Sequence, residues 1–233
     1  MTRLSRIAVL ASVIAASLAP SAFAKEIKFD VNDSKDRDNV SFNSNAPIEV
    51  IVGHTSKITG SVSLDDSMDL SKQPLAAEFD VDLATIDTGI PLRNEHMRDN
   101  FLETKKFPKA TFKLKSIASG ATVLKDKQKV HIEALGDFTV HGKTVQKKVP
   151  IDVTYFKLCP STASKFENCD LLQINASFPV AFKDHGIQRP EIVFQKLADT
   201  VVVTVNVTAH KEVAGGSKPA EKPAGKTTAP AHK

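Results

Sequence analysis

The chain has 233 residues, 41% of them hydrophobic and 25% charged, with 31 Lys and Arg against 27 Asp and Glu and a net charge of +4. That length suits one domain of about 150–200 residues with flanking segments, and so small a charge excess argues against nucleic acid as the main partner. There is no Trp, but 13 Phe spread along the chain supply aromatic material for a core.

Residues 1–24 read as a cleavable signal peptide. Arg3 and Arg6 form the positive leading region, residues 7–18 the apolar stretch, and Ala22-Phe23-Ala24 a small-x-small cleavage site. The apolar stretch falls short of the ~20 residues that a membrane-spanning helix needs, and no later stretch reaches that length. No cysteine lies near the cleavage site to carry an acyl anchor. The expected mature chain begins at Lys25 and is periplasmic or secreted; losing Arg3 and Arg6 lowers its net charge from +4 to +2.

From there the chain is dominated by strands. Runs near 40–42, 48–52 and 58–64 come first. Ala77, Phe79, Val81 and Leu83 then alternate with Glu78, Asp80 and Asp82, a period of two with one dry and one charged face. A short helical segment follows over 91–103. Pro91 suits a first helical turn, and Met97 and Phe101, four apart, share a face with the makings of an amphipathic lid together with Leu92. Ala110, Phe112 and Leu114 alternate with Thr111, Lys113 and Lys115. Ile132, Ala134, Gly136, Phe138 and Val140 alternate with His131, Glu133, Asp137 and Thr139. Val149, Ile151, Val153 and Tyr155 continue the pattern, then Leu172, Ile174, Ala176 and Phe178, and finally Val201, Val203, Val205 and Val207. About eight strands result.

Cys159 and Cys169 flank a polar turn between two of these runs. In an oxidising compartment the pair is expected to form a disulfide that staples one hairpin loop, worth at most ~3 kcal/mol in the chain-entropy description. A redox or metal role would call for a C-x-x-C spacing or a histidine cluster, and neither is present. From Gly215 the chain turns to Lys, Pro, Ala and Gly, so 211–233 is expected to be a disordered tail.

Many alternating strands with polar turns mean an antiparallel sandwich or barrel, and periodicity alone does not choose between them. Small inward residues (Ala77, Ala110, Ala134, Gly136, Ala176) beside Phe79, Phe112, Phe138 and Phe178 either leave room for a ligand or fit the taper of a packed barrel.

Two signatures bear on that choice. The first runs from Ile86-Asp87-Thr88-Gly89 through Arg93, His96 and Arg98 to Phe107-Pro108. The second is Gly136-Asp137-Phe138-Thr139-Val140-His141-Gly142, and a further stretch runs from Phe182-Lys183-Asp184-His185-Gly186 to Arg189-Pro190. Together they closely resemble the YceI-like family of secreted bacterial proteins. The resemblance implies an all-β fold, a lipocalin-like barrel of about eight antiparallel strands with a short helical lid, over residues 25–210. It also implies an interior that holds a polyisoprenoid or other long-chain lipid. Phe79, Val81, Phe112, Leu114, Phe138, Ile151 and Phe178 would then line the ligand. Arg93, His96, Met97, Phe101 and His141 would stand at the mouth.

Two readings stay open there. Arg93, His96 and Arg98 either meet an anionic headgroup, whose oxygens suit guanidinium forks, or pair with Glu95, Asp99, Glu103 or turn carbonyls to fix the loop. His141 either touches ligand or makes a turn-fixing hydrogen bond, with Gly142 supplying a positive φ. No nucleophile elbow, zinc helix motif or phosphate loop is present, so neither a catalytic residue nor a metal or cofactor is assigned. Three functions remain in view: a periplasmic lipid binder, sequestering or carrying its ligand with peripheral membrane contact for exchange; an enzyme on such a lipid, with His96 or His141 as acid or base; and a filled barrel that binds a protein partner. The oligomeric state is open.

Overall fold

The computed structural model describes residues 25–157, 170–189 and 195–212. The signal segment, Cys159, Cys169 and the tail from 213 lie outside the described residues. Ten strand segments form one antiparallel sheet in the order β1-β4-β5-β6-β7-β8-β9-β10-β2-β3, which closes on itself through β1 and β10. They are β1 (Glu26–Val31), β2 (Asn39–Asn45), β3 (Val50–Thr55), β4 (Ile58–Asp65), β5 (Ala76–Asp82), β6 (Lys109–Gly120), β7 (Lys129–Val140), β8 (Lys143–Lys157), β9 (Asp170–Ala181) and β10 (Thr200–Lys211). One short helix, α1 (Pro91–His96), runs into a π-helical turn at Met97–Phe101.

Ten segments make an eight-stranded barrel because two of its strands are broken. β1 and β2 lie end to end along the same edge of β10, with Phe29 opposite Lys211 and Val40 opposite Val205. β3 and β4 lie end to end against them, with Val40 opposite Thr55 and Val31 opposite Gly60. The expected closed barrel of eight strands is therefore what the chain forms. β1 is absent from the expectations above, although Ile27, Phe29 and Val31 alternate correctly. The turn joining β7 and β8 has only two residues, His141 (φ 52°) and Gly142 (φ 71°). Both positive φ values match the mirror-image turn that suits the right-handed strand twist.

The barrel is filled at one end and hollow at the other. Phe29, Val31, Leu64, Leu172 and Ala209 are essentially without exposure at the filled end. The β4–β5 and β6–β7 connections plug it: Leu70 N–H donates to Thr122 O (2.8 Å), Leu124 N–H donates to Met68 O (2.9 Å), and Met68, Leu70 and Leu124 are all buried. Each large apolar side chain so enclosed contributes about 1.5–3 kcal/mol. A second cluster, including Leu83, Ile86, Phe138, Val149, Phe178 and Val201, surrounds the other end without filling it. The choice between packed core and ligand room thus falls differently at the two ends.

Outside, β5 to β8 carry a ladder of cross-strand ion pairs. Glu78–Lys113 (2.9 Å), Asp80–Lys109 (3.0 Å) and Asp137–Lys115 (2.8 Å) are its main rungs. Exposed pairs of this kind are each worth no more than about 1 kcal/mol. Their larger effect is to hold this wall in water.

Candidate ligand cavity

The hollow end encloses a cavity of about 520 Å³. At about 30 Å³ per water-sized group, that is room for on the order of fifteen methylenes. Phe79, Val81, Phe112, Phe138, Ile151 and Phe178 all line it. Leu114 does not. It sits opposite Gly136, just before the register of β6 on β7 slips between Leu114 and Ser116, and it is only half-buried.

Inward glycines do not simply leave room for a ligand. A Cβ added at Gly53, Gly60 or Gly136 would collide with the ring of Phe42, Phe79 or Phe112 respectively. Each glycine lets a neighbouring aromatic ring lie close over the strand. The small side chains set the positions of the rings, and the rings shape the wall.

The lid is fastened by hydrogen bonds that explain the first signature. Pro91 occupies the first turn of α1 as expected. Asn94, one residue past Arg93, is buried. Its Oδ1 accepts from Thr88 N–H (2.8 Å) and Thr88 Oγ1 (2.6 Å), and its Nδ2 donates to Asp87 Oδ1 (2.6 Å). Gly89 N–H also donates to Asp87 (2.8 Å). These two donors hold the Asp87 carboxyl below its usual range, the glycine amide most strongly. The sequence reading missed Asn94; its place inside the first signature, between Arg93 and His96, was the available clue.

Arg93 lines the mouth but is committed to the protein. Its Nε donates to Thr88 Oγ1 (2.9 Å), its Nη2 to Thr88 O (2.8 Å) and its Nη1 to Glu49 (2.7 Å). The turn carbonyl was anticipated. The carboxylate partner is a correction: it is Glu49, brought from 44 residues away by the barrel, and not Glu95, Asp99 or Glu103. His96 stands exposed at the rim, and Met97, Phe101 and Leu102 face the cavity beneath it. Arg98 is not part of the lining.

His141 is also outside the lining. Its Nδ1 lies 3.2 Å from the His185 carbonyl, its Nε2 lies 2.7 Å from Glu103, and its ring meets Phe107 edge-on at 4.7 Å. It ties the β7–β8 turn to the end of the lid and to the 3₁₀ turn Phe182–His185. His185, which sequence reasoning passed over, is fully buried; its ring contacts Phe138 edge-on at 5.3 Å, and its Nδ1 is 3.1 Å from the Lys143 carbonyl. Burial holds its imidazole below the usual range.

Chemically, the wall offers hydrocarbon and little else. Polar groups gather at the mouth, where Thr88, Arg93 and Glu49 satisfy one another. Among the described residues, the titratable side chains of the lining are those of Glu49, Arg93, His96 and Lys196, and the rest of the lining is mostly apolar, so the arrangement suits burying an apolar tail, at about 0.8 kcal/mol for each methylene removed from water.

A family model described as the YceI-like domain matches residues 29–209. Among solved structures, BcnA of Burkholderia cenocepacia superposes with a TM-score of 0.56 at 20% identity, covering 76% of this chain and 98% of that one. A polyisoprenoid-binding domain from Saccharophagus degradans, implicated in plant cell wall breakdown, superposes with a TM-score of 0.57 at 14% identity, covering 80% of this chain and 98% of its own. No curated protein sequence matches. At those identities the superpositions establish a shared fold, while the domain match spans nearly the whole barrel: the chain belongs to the YceI-like family.

Proposed function

We propose that this protein is a periplasmic binding protein, and not an enzyme, that sequesters or carries a long-chain lipid of the polyisoprenoid class. The tail would lie against Phe79, Phe112, Phe138, Ile151 and Phe178, with its polar end at the mouth under α1. The observation that carries this reading is the cavity itself. It is a closed-bottomed apolar space of about 520 Å³, walled by inward strand faces and covered by a fastened lid. The polyisoprenoid-binding relative adds support on the ligand class. Binding is passive in this reading: burial of hydrocarbon supplies affinity, and about ten methylenes give micromolar-scale attraction before ordering costs. Exchange of cargo requires peripheral contact with a membrane.

The test is native mass spectrometry of protein purified without detergent from its own periplasm, followed by denaturation and extraction. A mass excess that leaves as one hydrophobic molecule is the expected result. An empty native mass, together with no uptake of added polyprenol or fatty acid, refutes the proposal.

A further inference from the structure

The outer surface of the barrel is divided, and the division points to a docking face. Opposite the ion-pair ladder lies the wall β9–β10–β2–β3. One row across it runs Pro179, Val202, Asn43, Val52. Along all four strands the outward positions contain no Asp, Glu, Lys or Arg. Such a wall forgoes the charges that normally keep an outer strand face in water.

Exposed apolar side chains concentrate on the same side. Of the seven large hydrophobic residues exposed among the described residues, six are Ile48, Val50, Val52, Ile90, Leu92 and Val202; the seventh, Val123, belongs to the plugged end. The first five form one rim. Chain 87–93 runs beside chain 49–54, held by the His54–Asp87 backbone pair at one end and the Arg93–Glu49 ion pair at the other. Ile90 and Leu92 therefore lie on a segment that runs alongside the one carrying Val50 and Val52. Ile90 and Leu92 also line the cavity, although they are 49% and 61% exposed. The apolar rim is thus continuous with the apolar interior.

We propose that this rim, Ile48–Val52 with Ile90 and Leu92, docks on the surface of a lipid bilayer, with the uncharged wall turned toward the membrane and the ion-pair ladder toward water. The proposal rests on the lipid-carrier reading and adds where the cargo enters. A bilayer is the occupant that fits, because the rim leads directly into a hydrocarbon-lined space whose cargo resides in membranes. Contact is confined to the headgroup layer. Among the described residues, β3 is paired by β2 on one edge and by only the single His54–Asp87 bridge on the other, and strand edges of that kind do not enter hydrocarbon.

The experiment uses the mature protein, vesicles of phosphatidylethanolamine and phosphatidylglycerol, and a dansyl-labelled polyprenol. The variant is Val50→Asp with Val52→Asp; both side chains point outward and neither lines the cavity. Wild type is expected to co-sediment with vesicles and to extract the probe from them. The double variant should do both about tenfold less well, because a carboxylate resists entry into the interface. Its affinity for probe added in solution should be unchanged. Val123→Asp should behave as wild type. Wild type that stays in the supernatant, a double variant that sediments and extracts normally, or an equal loss in Val123→Asp overturns the proposal. So does a concentration-dependent dimer abolished by the double substitution, which assigns the face to a second copy of the chain. Vesicle binding lost on Val50→Asp/Val52→Asp in a protein that takes up no probe from solution supports the face and refutes the cargo.

Discussion

Replacing Asn94 with alanine should loosen the lid while leaving the barrel closed. Asn94 is 8% exposed, and its side chain makes three hydrogen bonds, two accepted from Thr88 and one donated to Asp87. Each is worth about 1 kcal/mol net, so their joint loss costs about 3 kcal/mol. None of the three joins two barrel strands. The cost therefore falls on the equilibrium between the docked and undocked lid, shifting it toward opening on the order of a hundredfold. Hydrogen exchange followed by mass spectrometry reads this directly. Amides of 90–102 should exchange much faster in Asn94→Ala, while those of β7 and β10 keep wild-type protection. Bound lipid should also leave faster. Unchanged exchange over 90–102 would refute the anchoring role, and acceleration spread evenly over the strands would show that the lid and barrel open as one unit.

Other consequences can be measured separately. Ala176 lines the cavity, so Ala176→Phe should fill part of it and weaken lipid binding by at least about tenfold, at a folding cost no greater than the 1–3 kcal/mol of overpacking; titration with a fluorescent polyprenol alongside thermal melts checks both. Tyr155 is the only tyrosine, and burial, reinforced by Asp170, pushes its phenol up to about 12. Ultraviolet titration of the folded protein should therefore show little phenolate near pH 10, the ordinary value; ionisation there would contradict its enclosure. His185 is held below the usual imidazole range by burial. Its folded state prefers the neutral ring, so its contribution is intact above about pH 6.5 and declines as pH falls from there toward the depressed folded value. Melting temperatures should drop over that window, and His185→Gln should remove that component of the drop.

The strands were largely legible because their inward faces repeat every second residue over long runs, as from Ile132 to Val140 and from Val201 to Val207. Where runs are short the signal fades. β1 has only three inward residues, and β3 (Val50–Thr55) lies a few residues from the expected 48–52 run. The site was legible in unequal parts. Alternation alone turned Phe79, Phe112, Phe138 and Phe178 inward, and only the family resemblance made that inward face a ligand wall. Leu114 has the same alternation and pairs in the same register, opposite Gly136, yet is not among the residues that line the cavity. Glu49 carried no local signal as the partner of Arg93, since the two meet only when the barrel brings β3 next to α1. His141 and His185 are distinctive in sequence, but each is engaged with backbone and neighbouring rings, which residue type alone does not reveal.

What the sequence by itself determined was the alternation, and with it an all-β chain having one dry and one wet face per strand. The signatures around Asp87–Arg93 and His141-Gly142 placed that chain in a family. Tertiary structure decided that the interior is packed at one end and shaped as a cavity at the other. Whether an inward glycine means space or contact depends on the ring across from it, and whether an arginine is free for a ligand depends on a carboxylate 44 residues away. Both are matters of distance between strands, and local pattern carries no information about them until the sheet closes.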